Sequence, residues 1–216
     1  MTDGVGIKSS SSTYIRNFSF VGTVFDKVGA CVEKEFQSWS NFSLSRIWEA
    51  EVEKIALGSA VGVFSFFALG QFEAILSALS GGQMNGSGPI GLFFHLASLP
   101  NSLAVCAMKV ATFSLFALVV PYVEEFMFRG VLHELLNTQA GSTLVQGVKV
   151  CLNAALFALF HIPAMLPQIS LLFLFQIFLL GVAFSLIRTC CDSRVSSTAA
   201  HITYNSLILA TIFACA

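Results

Sequence analysis

Long apolar runs separated by short polar turns organise this chain. The first runs from Ile55 to about Leu79 and is interrupted by Gln71 and Glu73. A second starts near Ser102 and reaches Leu136 through Pro121, and Leu144–Ile162, Ile169–Ile187 and Val195–Ala216 follow. An α-helix needs roughly 20 apolar residues to cross a bilayer, so five spans are expected, to within one because 55–100 is ambiguous. Ile90–Leu99 is too short to span and reads as a re-entrant or interfacial piece. Ser80 to Pro89 is a glycine-rich loop, Asn137–Ser142 a turn with Gly141 as helix cap, and Pro163 and Pro167 stop the third span. Pro121 either kinks the second run or is absorbed within one long helix. The expected fold is all-α, a polytopic transmembrane helical bundle.

Residues 1–54 differ in kind. The serine-rich stretch 1–12 has nothing to bury and is expected to be disordered. Phe18, Phe20, Val24, Phe25, Val28 and Val32 suit an amphipathic helix lying on the bilayer or against the bundle, with Trp39 and Trp48 at the interface. The chain therefore divides into a polar, partly disordered region, 1–54, and a membrane domain, 55–216.

Composition sharpens the pattern. Only 11% of residues are charged and 56% are hydrophobic, against about 25% charged in soluble domains. After residue 54 the basic side chains are Lys109, Arg129, Lys149, Arg188 and Arg194, and the acidic ones Glu73, Glu124, Glu125, Glu134 and Asp192. The loops 80–100 and 163–168 hold no Lys or Arg, so the charged face is expected to be cytoplasmic, with the N-terminus inside and the C-terminus outside. A net charge of -1 without a basic stripe excludes a nucleic-acid partner. No apolar core follows Met1, so insertion is expected to rely on the first membrane helix, and a bacterial inner membrane is the expected location. The six cysteines show no C-x-x-C spacing and read as small buried hydrophobes, although Cys190-Cys191 at a helix end suits acylation.

Candidate chemistry lies in three of the apolar runs. Glu124 and Glu125 are adjacent, Arg129 is one turn on, and His161 and His201 sit in later runs, the second followed by Asn205. An ionisable group at membrane depth costs roughly 2.5–3.5 kcal/mol even on a lenient scale, so this concentration implies function. Glu125 and Arg129, at i and i+4, are expected to form a supporting ion pair, while Glu124 points about 100° away and stays free for the other helices. At ~1.5 Å per residue, Glu124 and His161 lie roughly 20 Å from the cytoplasmic turns and His201 only about 10 Å, a gap that tilt would have to close. His161 beside Glu124 can share a water proton, and His201 with Asn205 can donate to an oxyanion. The inferred reaction is water-mediated amide hydrolysis without a covalent intermediate.

Glu124-Glu125-x-x-x-Arg129, Phe157-x-x-x-His161 and His201-x-x-x-Asn205 resemble the three signature motifs of the CPBP family. That family comprises the type II CAAX prenyl endopeptidases and the bacterial Abi, bacteriocin-processing and self-immunity, proteins. The resemblance covers about residues 100–210 and implies an intramembrane glutamic protease. It makes Glu124 and His161 the water-activating pair and His201 and Asn205 the oxyanion site; no motif position departs from the pattern. Two histidines with carboxylates can also hold zinc. Ligands arriving singly from separate helices, no H-E-x-x-H pair and an asparagine favour a reaction without a cofactor. Two alternatives remain: a non-proteolytic immunity or scaffold protein of the same family, and a transporter, for which no repeated polar stripe is visible. The expected partners are the lipid bilayer and a membrane-associated protein or peptide, prenylated or not.

Overall fold

The computed structural model describes residues 22, 26, 28–30 and 33, then 44–79, 89–136, 142–166 and 170–215, with no side-chain description for 44–50, 72–79, 89–92 and 215. The chain falls into two compact units, Met1–Phe42 and Ser43–Ala216. In the first, the described residues are helical. The expected disorder of 1–12, most of the amphipathic stretch, Trp39, the side chains of Trp48 and Glu73, and the Gly141 cap lie outside the described residues.

The second unit is all-α among the described residues. Its elements are α1 (Leu44–Leu79), α2 (Pro89–Ser98), α3 (Leu103–Leu136), α4 (Thr143–Phe160), the single turn α5 (Ile162–Met165), α6 (Leu171–Cys191) and α7 (Arg194–Cys215). Four stretches are long and apolar enough to cross a membrane: Glu51–Gln71 within α1, then α3, α4 and α6. The fifth expected span, α7, is a 22-residue helix that carries His201 and Asn205 among its polar positions. It packs against α1, α2, α3 and α6, so its serines, His201 and Asn205 meet protein where the other helices meet lipid.

The unit is apolar outside and polar inside. Leu103 is 90% exposed and Phe64 73%, whereas Glu125, Arg129, Ser196 and Ser197 are wholly buried. A lipid solvent permits this arrangement, because exposed leucine loses nothing there and polar groups pair within the bundle. The closest helix contact joins α1 to α7. A Cβ at Gly58 would collide with the Ser196 carbonyl oxygen, and one at Gly62 with that of Ala200. Only glycine lets these backbones meet.

The long helix α3 runs on through Pro121 to Leu136. Ser102 caps its start, accepting from the Val105 N–H. Two π-helical segments, Leu115–Val119 and Phe126–Leu132, bracket the α-helical stretch Val120–Glu125. The first absorbs the proline: Val120 N–H bonds to Leu115 O, one residue further back than an α-helix would place it. Pro121, lacking an N–H, cannot continue that pattern to Phe116 O. Both carboxylates of the pair fall within the short α-helical stretch.

Candidate active site

Glu125 and Arg129 form the expected pair, Oε1 to Nη1 at 3.0 Å, with both side chains fully buried. Arg129 Nη2 also donates to the Gly181 carbonyl of α6 at 3.0 Å. Its Nε and Nη1 make no hydrogen bond among the described residues, so the Nη1–Oε1 contact is an ion pair without hydrogen-bond alignment. The guanidinium instead lies 4.5 Å from the Phe157 ring centre and 5.5 Å from that of Phe184, the geometry of a cation–π contact.

Glu125 does more than pair with arginine. Its Oε1 also lies 3.0 Å from Nδ1 of His201, and Phe184 stacks on the His201 ring at 4.8 Å. An ionised carboxylate only accepts, so Nδ1 of His201 carries the hydrogen and Nε2 is turned to the site. Sequence reasoning missed this bond. The partners are 76 positions apart, and no local spacing links them.

Glu124 faces the other way, toward both histidines. Its Oε1 is 3.6 Å from Nε2 of His161 and its Oε2 3.5 Å from Nε2 of His201. His161 sits at the break between α4 and α5, where Pro163 ends the α-helical pattern. Its backbone N–H bonds to Ala158 O, which leaves Phe157 O to accept from the His161 ring at Nδ1, at 2.8 Å. That bond fixes the tautomer, with Nε2 bare in the neutral ring. Two acceptors therefore lie side by side, the Glu124 carboxylate and Nε2 of His161, with Nε2 of His201 facing them. A water between Glu124 and His161 would find an acceptor for each hydrogen. Glu124 and His161 keep 15% and 23% side-chain exposure, against none for Glu125 and Arg129, so Glu124 is the carboxylate a substrate can reach.

Asn205 is one turn beyond His201 on α7. Its Nδ2 donates to Phe116 O at 3.1 Å, the carbonyl that Pro121 leaves without a π-type partner. One amide hydrogen is thereby used, and the other has no partner among the described residues. Phe157, expected to pack, stands edge-on to His161 and His201 at 4.7 and 5.8 Å and forms a wall of the site. Outside the cluster, His95 is exposed and His133 half-buried. As zinc ligands the available donors would be the two Nε2 atoms and Glu124, but among the described residues no three His, Cys, Asp or Glu side chains gather into a metal-holding set.

Fold and site together define a class: a polytopic helical membrane protein with a Glu/His cluster enclosed in its bundle. A family model described as type II CAAX prenyl endopeptidase, Rce1-like, matches residues 106–207, from within α3 to beyond Asn205. Those residues are a domain of that family of CAAX-type membrane endopeptidases, and α1 and α2 lie outside the match. Comparison with curated proteins and with solved structures gave no match.

Proposed function

We propose that this protein is an intramembrane endopeptidase of the glutamic type, acting on membrane-associated proteins or peptides. The family match supports protease chemistry. The observation that carries the mechanism is Glu124, reachable and flanked by two histidine Nε2 atoms at 3.6 and 3.5 Å. Glu124 and His161 take a proton from water as its oxygen attacks the scissile carbonyl carbon. The same proton later passes to the leaving amine as the C–N bond breaks. His201, protonated at Nε2 and held by Glu125 at Nδ1, donates to the oxyanion, and the second amide hydrogen of Asn205 joins it. Glu125 thus orients His201 as a carboxylate orients histidine in a triad. The reaction needs no metal in this reading.

The description of the family makes prenylated C-terminal CAAX peptides the first substrates to try. Lys- and Arg-free loops opposite the charged ones support an N-terminus on the cytoplasmic side. The test is a survey of new protein N-termini in host membranes, wild type against Glu124→Ala at matched protein levels. Peptide ends confined to the wild type are expected and would name the substrate. Undiminished cleavage by Glu124→Ala would sink the mechanism, and a phenotype that survives the substitution without any cleavage would favour an immunity or scaffold role.

A further inference from the structure

The π-helical segments of α3 place carbonyls where the helix serves them poorly, because a π turn moves each N–H donor one residue further back. Side chains from three other helices reach three of these carbonyls. Asn205 of α7 donates to Phe116 O at 3.1 Å, Asn153 of α4 to Phe128 O at 2.7 Å, and Arg188 of α6, through Nε, to Arg129 O at 3.4 Å. Phe128 O also receives the His133 N–H, which is shared with Gly130 O.

The two asparagines occupy matching places. Asn205 stands four residues after His201, and Asn153 eight residues before His161 on the same helix, about two turns away. They grip α3 on either side of the carboxylate pair, at Phe116 and Phe128. Asn153 is 2% exposed, and its Oδ1 accepts from Ser185 of α6 at 3.4 Å. A hydroxyl donor on one side and a carbonyl acceptor on the other fix the amide orientation.

We propose that Asn153 is a positioning residue: its bond to Phe128 O sets α4 against α3, and so sets His161 against Glu124. Its effect on turnover rests on the hydrolytic reading above; its effect on geometry does not. Asn153→Ala removes the bond, and Asn153→Asp replaces the donor by an acceptor when ionised. Ser185→Ala frees the amide to rotate. Each is measured for kcat and KM on the substrate found above. Each is also measured for the distance between spin labels at Met127 and Leu159, exposed positions on α3 and α4, in a cysteine-free background.

Both asparagine variants are expected to lower kcat about ten- to a hundredfold, the scale of an ångström-level misplacement of catalytic groups, with KM little changed and the distance distribution widened. Ser185→Ala should move the same two quantities less. Wild-type kcat in Asn153→Ala, or lost activity with a wild-type distance distribution, would overturn the proposal. If neither asparagine variant folds, Ser185→Ala decides: unchanged kcat and distance would overturn it. If the wild type cleaves nothing, the hydrolytic reading fails separately. A widened distribution in Asn153→Ala would still support the positioning role, and an unchanged one would end it.

Discussion

Two neighbouring carboxylates in one helix have been given opposite surroundings. Glu125 is sealed from solvent, bound to Arg129 and to His201 Nδ1, each at 3.0 Å. Glu124 keeps 15% exposure and faces histidine nitrogens at 3.5 and 3.6 Å, beyond a strong hydrogen bond. One is clamped through Oε1, its buried Oε2 without a hydrogen bond among the described residues, and the other faces its neighbours at longer range. In the proposed mechanism the first carboxylate is clamped by protein and the second is left for water.

The largest effect should come from breaking the open half. Glu124→Gln keeps shape and removes the base, and is expected to reduce cleavage by about 10²–10⁴-fold, the usual contribution of general acid–base catalysis. Thermal stability should stay close to wild type, since no close bond is lost. A Glu124→Gln protein that melts far below wild type would mean that Glu124 is structural too, and would erase the contrast.

The closed half should answer in the other currency. Removing one member of a fully buried ion pair costs about 3–5 kcal/mol, so Glu125→Gln and Arg129→Met should each lower the melting temperature strongly. The paired change Glu125→Leu with Arg129→Met is the sharper probe. Replacing both by apolar side chains should restore much of the stability while cleavage stays low, because His201 has lost its Nδ1 partner. Restored stability with restored cleavage would make Glu125 scaffold alone.

A smaller effect is expected at the contact of α7 with α1, a helix outside the matched family domain that supports the one bearing His201. Gly62→Ala presses a methyl group on the Ala200 carbonyl and Thr203 Cβ. Overpacking of this kind costs about 1–3 kcal/mol. Thermal melts of Gly62→Ala against Gly70→Ala, where a Cβ meets nothing within 4 Å, give the comparison. Equal melting points would remove α1 from the account.

The legible part of this site was local. Glu125 with Arg129 and His201 with Asn205 are four apart, so helical period alone placed each pair on one face. What escaped crosses between helices. Glu125 with His201, Asn153 with Phe128 O and Asn205 with Phe116 O join residues whose spacing carries no signal. Depth counting put His201 well short of Glu124, yet they meet at 3.5 Å. It assumed level turns and a uniform rise, whereas the 34-residue α3 contains two π segments. Hydropathy read α7 as a further span but carried no sign that its Ser196, Ser197 and His201 would be buried against other helices. The π segments had one visible cue, Pro121, and proline alone does not distinguish a kink from a widened turn.

The smallest expected effect is none. If water is activated by Glu124 and His161 alone, prolonged treatment with a strong chelator should leave cleavage by the detergent-solubilised protein unchanged, and added zinc should not raise it. Zinc would need both Nε2 atoms and Glu124 as ligands, with His161 Nδ1 bound to Phe157 O and His201 Nδ1 to Glu125 as supports. Those supports suit either chemistry, so tautomers do not separate the readings and metal dependence does. Loss of activity on chelation, recovered by zinc in a stoichiometry near one, would turn Glu124 from base into ligand. In that case Glu124→Gln should also abolish zinc binding measured on the purified protein, a readout independent of turnover. Chelator resistance together with an inactive Glu124→Gln would leave the open carboxylate as the group that takes the proton.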